Sequence, residues 1–173
     1  MTAPAVPRRV IPTARLTLRD LAAGDAPFVL RLVNDAGWLR HIGDRGVRSL
    51  ADARAYIAGG PVASVRENGF GLSLVAAARV PVGLCGLLHR DGFPDPDLGS
   101  ALRPEHRGAG YAAEAAAAVL ADARARLGLT RVAALVSPGN DASVRVLAGL
   151  GFAFERQVPL AGAGRVDLYA VAL

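Results

Sequence analysis

The chain contains no lysine: all 20 basic residues are arginine. A single cysteine, Cys85, excludes an intramolecular disulfide and any multi-cysteine zinc site. Aromatic residues make up only 5% of the sequence. No apolar run approaches the ~18 residues of a membrane span. Met1–Val10 holds two arginines with no apolar core behind them, which argues against a signal peptide. These absences lead us to expect a soluble, cytoplasmic protein, a monomer or homodimer, with no metal. A net charge of +5 would suit a nucleic-acid partner. The arginines are scattered, however, with Arg8-Arg9 the only adjacent pair, and no basic run is interleaved with aromatics as a single-strand binder requires. They read as ordinary surface charge.

The 173 residues are enough for one α/β domain with a full core. Met1–Pro12 carries Pro4, Pro7 and Pro12 and reads as a loose lead-in, with the domain proper over Thr13–Leu173. Leu16–Arg19 alternates as a first strand. A helix enters at Gly24–Pro27, with Asp25 a candidate cap. Gly37–Arg48 breaks the periodicity. Ser49 then opens a second helix, expected to stop near Gly59-Gly60-Pro61. Phe70–Ala77 and Val82–His89 pattern as an antiparallel hairpin. Asp97–Arg103 reads as a strand, followed by a long helix to about Leu127 whose apolar stripe runs through Ala116, Val119, Leu120, Ala123 and Leu127. Arg131–Val136 is a buried strand, parallel to Asp97–Arg103 if that helix is a crossover. A helix capped by Asn140 or Asp141 and a closing hairpin, Phe152–Val158 with Val166–Val171, complete a mixed sheet of about seven strands with helices on both faces.

The stretch with the most chemistry is Arg107-Gly108-Ala109-Gly110-Tyr111-Ala112. Two glycines let the backbone turn tightly and approach a ligand. The first amides of the following helix have no partner within it and carry the positive end of its dipole. Such a loop suits phosphate oxygens, and Arg107 would add a full charge at its rim. The loop also fits the loose dinucleotide fingerprint, but the next strand ends in Ser137-Pro138-Gly139 with no acid to hold a ribose. A nucleotide module without acyl chemistry, or a glycine-containing helix entry with no ligand, stays open at this level.

Three stretches resemble the GNAT N-acetyltransferases, and more narrowly their Rim-type branch, which acetylates ribosomal-protein N-termini. They are Asp97–Glu105, Gly110–Ala115 and Asn140–Leu147, followed by Gly151-Phe152. The resemblance runs from about Thr13 to the C-terminus. It implies a single-domain GNAT fold in which two parallel strands splay and acetyl-CoA enters the wedge. The pantetheine arm would pair with backbone near Ala101, Leu102 and Arg103, and the pyrophosphate would rest on the amides of Arg107, Gly108, Ala109, Gly110, Tyr111 and Ala112. Asn140 would contact the pantetheine, and Ser143 the CoA sulfur. The implied reaction is direct acetyl transfer to a primary amine, a protein N-terminus or a small molecule. A GNAT fold without catalysis is the alternative.

Such a transfer needs a route for the amine proton, donors for the oxyanion and help for the leaving thiolate. Asp97 is the leading candidate base, in the place of the family's strand-opening acid, though a solvated turn acid would look the same in sequence. His89 is second, because histidine titrates near neutrality. The position where many family members carry a tyrosine near the thiolate is Leu147, which cannot donate a proton. Ser143 would fill that role, or be a first-turn serine bonded to backbone. Cys85 reads as a small buried hydrophobe. The resemblance implies that acceptor specificity comes from Ala36–Arg48 and Pro159–Arg165. Trp38 and Arg45 could wall the pocket, while a lone tryptophan also serves as a core plug.

Overall fold

A computed structural model describes residues 9–173 as one eight-stranded mixed sheet with helices on both faces. In chain order the elements are β1 (Val10–Pro12), β2 (Leu16–Asp20), α1 (Ala26–Val33), α2 (Ala36–His41), α3 (Leu50–Ile57), α4 (Ala63–Asn68), β3 (Leu72–Ala77), β4 (Val80–Leu88), β5 (Asp97–Leu102), α5 (Tyr111–Leu127), β6 (Arg131–Val136), α6 (Asp141–Gly149), β7 (Ala153–Leu160) and β8 (Gly164–Ala172). The spatial order is β1-β2-β3-β4-β5-β6-β8-β7, and β5–β6 is the parallel pair. Among the described residues no helix is long and apolar enough to cross a membrane.

Strand alternation sorts the core into layers. One face of β2–β6 sends Leu18, Val75, Cys85, Leu87, Leu98, Val132 and Ala134 against the small residues Ala115, Ala116, Val119 and Ala123 of α5 and against Leu147 of α6. Alanine at the contact face lets α5 lie close to the sheet. The opposite face packs Leu72, Leu74 and Leu84 against Val29 and Leu32 of α1, Trp38 of α2, and Ala53 and Ile57 of α3. A smaller cluster, with Val158, Val166, Leu168 and Ala170, lies under the β7–β8 hairpin.

Four expectations change. Val10–Pro12, placed in the loose lead-in, is an edge strand paired antiparallel with β2. Arg9 pins it: its backbone amide donates to Asp20 Oδ2 at 3.0 Å, its Nη1 to Asp122 of α5 at 2.7 Å and its Nη2 to Ser73 at 2.9 Å. The remainder of that lead-in, residues 1–8, lies outside the described residues. The stretch read as broken holds a short helix, α2, capped by Asp35, whose carboxylate accepts from the Gly37 amide. The helix opened by Ser49 does not stop at Gly59-Gly60-Pro61. A π-helical turn over Ala58–Val62 carries it into α4. The wider turn accommodates a proline that lacks the usual donor and would crowd an α-helical carbonyl. Asp25 precedes α1 as expected, but its side chain makes no cap hydrogen bond to that helix. Its carboxylate accepts from the Ala22 amide at 2.8 Å and pairs with Arg19.

Candidate active site

The parallel strands β5 and β6 meet at one register pair, Asp97 with Ala133. There the Ala133 amide donates to the Pro96 carbonyl at 2.9 Å. In a regular parallel ladder the next β6 amide to donate, that of Leu135, would reach the Leu98 carbonyl. That amide instead donates to the Asp97 side chain, Oδ1, at 3.0 Å. A carboxylate has replaced a rung, and beyond it the strands separate. Asp97 is 3% exposed, and its other oxygen accepts from Arg90 Nε at 2.5 Å. Burial pushes its carboxyl up, while Arg90 and the Leu135 amide work in the opposite direction. The side chain expected as the base is therefore committed at both oxygens, at the closed end of the wedge. Leu102, at the open end, is five residues further on, about 17 Å along an extended strand.

Pairing with β4 decides which peptide groups face the opening. The Arg103 amide donates to the Val82 carbonyl at 2.9 Å, and Ala101 stands opposite Leu84 in the same alternating ladder. The backbones of Ala101 and Arg103 thus belong to β4. Those of Leu102 and, by the same alternation, Ser100 point into the wedge. Ser100 went unnoticed in the sequence because the phase of an antiparallel ladder depends on its partner strand.

After β5 a single 3₁₀ turn, Pro104–His106, leads into the glycine loop. Gly108 and Gly110 sit at φ +79° and +81°, the left-handed region that favours glycine. Gly110 is the N-cap of α5 and supplies no side-chain cap, so no capping side chain serves the first-turn amides of Tyr111 and Ala112. Ala109 lies between the glycines, and its carbonyl accepts from Arg15 Nη1 at 2.8 Å. Arg107 is not the free rim charge expected. Its guanidinium folds back to the Leu102 carbonyl, at 3.1 and 3.2 Å, and to Asp35 at 2.9 Å. Gly37 makes room for it, since a Cβ there would lie 2.7 Å from Arg107 Nη2. Burial works to raise the Asp35 carboxyl, but the Arg107 hydrogen bond, the α2 amides and the Arg107 charge outweigh it and hold the group below the usual carboxylate range.

The other end of α2 is tied as well. Ser137, the residue after β6, donates from Oγ to the His41 carbonyl at 2.7 Å. Helix α2 therefore runs across the mouth of the wedge, one end fixed beside the end of β5 and the other beside the end of β6. Trp38, on this helix, is 4% exposed and packs in the α1–α3 core layer, so it is a plug. Its indole Nε1 is buried with no hydrogen-bond partner among the described residues. Arg45 is exposed in the following loop. Tyr56 of α3 is drawn upward by burial and downward by the charges of Arg45 and Arg90.

On the α5 side, Asn140 caps α6, its side chain accepting from the Ser143 amide at 3.3 Å. Ser143 is half-buried in the first turn, and Leu147 is buried in the core. Tyr111 and Val144 pack on one cluster, which brings the starts of α5 and α6 to the same side of the sheet. His89 is over half exposed, 3.9 Å from Asp91. Cys85 is buried in β4 and its thiol is pushed up to about 12, so it is no nucleophile. A cavity of about 360 Å³, lined by Phe93, Asp95, Arg131, Ala133, Val158 and Leu168 among others, lies towards the closed end of the wedge and away from these groups.

A sheet opened between two parallel strands, with a glycine loop and a helix start beside the opening, fits the acyltransferase class. The comparisons agree. The Acetyltransferase (GNAT) domain matches residues 15–153, and the chain belongs to that family. An acetyltransferase from Agrobacterium tumefaciens is 27% identical, with 99% of this chain and 97% of that one covered and a TM-score of 0.80. RimL, a ribosomal-protein alpha-N-acetyltransferase solved in complex with coenzyme A, is 19% identical over 95% of this chain and 98% of its own, with a TM-score of 0.84. A Salmonella typhimurium acetyltransferase that modifies the N-terminal serine of a ribosomal protein is 18% identical over 95% and 99%, with a TM-score of 0.81. The last two likenesses establish the fold. No curated protein matches the sequence. The chain is an acetyltransferase enzyme.

Proposed function

We propose that the protein is an acetyl-CoA-dependent N-acetyltransferase acting by direct transfer to a primary amine, either a protein N-terminus or a small-molecule amine. The observation that carries this reading is the missing rung between β5 and β6. It leaves the Ser100 backbone and the Leu102 amide facing a gap where an extended amide-bearing arm can add as a strand, the Leu102 carbonyl being held by Arg107. The pantetheine arm of CoA is such a group. The amides after Gly108 and Gly110 would take the pyrophosphate, and the wedge between the starts of α5 and α6 would take the arm. The coenzyme A bound in RimL supports this cofactor, and the ribosomal substrates of RimL and of the Salmonella protein support a protein N-terminus among the acceptors.

In the step itself, the amine lone pair attacks the thioester carbonyl carbon. The new C–N bond forms, the C–S bond breaks, and the proton shed by the amine balances the one taken up by the thiolate. Ser143 is the hydroxyl we assign to the sulfur, since Leu147 has none to give. Asp97 we assign to opening the wedge. Asp97 is buried at the closed end of the wedge, so we route the amine proton through water. Arg45, exposed on the loop that follows α2, is the side chain we assign to the acceptor.

The test is a thermal shift with acetyl-CoA, CoA, NAD and ATP in parallel. A ligand that binds only the folded state, at about 100 times its dissociation constant, adds about 2.7 kcal/mol, an easily resolved shift. Shifts with acetyl-CoA and CoA alone are expected. An amine panel read by thiol release should then give intersecting, not parallel, initial-rate lines. A cooperative melt unmoved by either CoA species would overturn the proposal.

A further inference from the structure

Arg15, in the β1–β2 turn, is 94 residues from Ala109, yet it lies on the glycine loop. Its Nε donates to Glu114 Oε2 at 2.7 Å, its Nη1 to the Ala109 carbonyl at 2.8 Å, and its guanidinium carbon stands 4.9 Å from the Tyr111 ring centroid. Nη2 has no hydrogen-bond partner among the described residues. It points at the loop's second glycine, where a Cβ on Gly110 would lie 3.3 Å from it. The side chain remains half exposed.

Glu114 explains part of this. It is an acid in the first turn of α5, where it would repel any anion drawn to the helix start. It is fully engaged: Thr13 Oγ1 donates to it at 2.6 Å, the Arg15 amide at 2.8 Å and Arg15 Nε at 2.7 Å. An ion pair with Glu114 would need only the Nε edge of the guanidinium. The bond to Ala109 and the stacking on Tyr111 hold the whole plane and leave one N–H edge directed over the loop. Only a rigid, multi-donor cation can be fixed on two sides and still present a third, which lysine could not do.

We propose that Arg15 is a phosphate-binding residue of the cofactor site, its Nη2 edge completing with the α5 amides a seat for the phosphorylated end of CoA. This rests on the acetyl-CoA reading above and adds to it a side chain from outside the loop.

The experiment measures dissociation constants for CoA, dephospho-CoA and phosphate-free pantetheine, at low and high salt. The proteins are wild type, Arg15→Met, Arg15→Lys and the double variant Arg15→Met/Glu114→Gln. Loss of a charge-assisted hydrogen bond should weaken CoA binding roughly tenfold in Arg15→Met and flatten its salt dependence, with pantetheine unaffected. Arg15→Lys should recover only part of the affinity, and the double variant should stay weak. An equal loss for CoA and dephospho-CoA assigns the contact to the pyrophosphate. A loss confined to CoA assigns it to the 3′-phosphate. Unchanged CoA binding in Arg15→Met overturns the proposal. So does an equal loss for pantetheine, which would mean a collapsed loop, or recovery in the double variant, which would mean that Arg15 only neutralises Glu114. Wild type that binds no CoA overturns the cofactor reading itself, in an arm that does not involve Arg15.

Discussion

Replacing Asp97 by alanine removes two acceptors at once, from the Leu135 amide and from Arg90. Breaking a buried ion pair from one side costs about 3–5 kcal/mol. Because the Arg90 side chain keeps 28% of its exposure and can turn to water, the lower end, about 3 kcal/mol, applies. The lost amide bond adds about 1 kcal/mol. At this chain length 1 kcal/mol moves the melting temperature by about 2–4 °C, so Asp97→Ala should melt roughly 10 °C lower. Asp97→Asn keeps an acceptor for Leu135 and loses only the pair, and should fall between the two. There is a second, geometric effect. With the carboxylate gone, the Leu135 amide is free to take the Leu98 carbonyl, and the sheet closes by one rung. CoA affinity should then fall further than the stability loss accounts for. The assays are thermal melts followed by circular dichroism and titration with CoA well below the lowered melting point. An Asp97→Ala protein that melts within about 2 °C of wild type, or that binds CoA as tightly, would refute the reasoning. A base would give the opposite pattern in Asp97→Asn: full stability and affinity with lost turnover.

Gly110→Val should abolish CoA binding while the protein still melts cooperatively, since a β-branched residue at φ +81° is strained by about 1–2 kcal/mol and its Cβ crowds Arg15; retained affinity in a titration would sink the loop assignment. Ser143→Ala should lower kcat by more than it weakens acetyl-CoA binding, and an unchanged rate would leave Ser143 as a helix residue only. Asp35 is held below the ordinary carboxylate range, so the hold of Arg107 on α2 is complete above that range and is lost as pH falls through the lowered value. Trp38, the sole tryptophan, sits on the same helix and reports this directly. Its fluorescence should stay constant from pH 7 down to about 4 and change only below that, whereas Asp35→Asn should show the change at pH 7; a wild-type transition near pH 6 would refute the link.

What the sequence disclosed was local. The alanine stripe of α5, the serine that caps α3 and the two loop glycines each act within a few residues, and each stands where expected. The family likeness extended this to the splayed pair. What it hid depends on distance or on partners. Arg15 reaches its loop across 94 residues and Asp97 its amide across 38, and no periodicity encodes either. The wedge-facing phase of Ser100 and Leu102 is set by β4. Helix α2 has six residues, too few to display a stripe, and Pro61 carries a stop signal that a π turn overrides. Trp38 suited pocket wall and core plug alike until its burial decided for the core.

Two strands joined at Asp97 and bridged at their far ends by α2 form a closed triangle. A triangle, unlike an open fork, cannot rack: its angle is set by the length of its third side. Here that side is six residues, about 9 Å of helix. The gap is thus gauged by the fold before anything enters it, and the fittings at its corners are side chains: Arg107 with Asp35 at one, Ser137 at the other, Asp97 at the apex. Lengthening or shortening that third side by one residue would change the gauge without touching either strand.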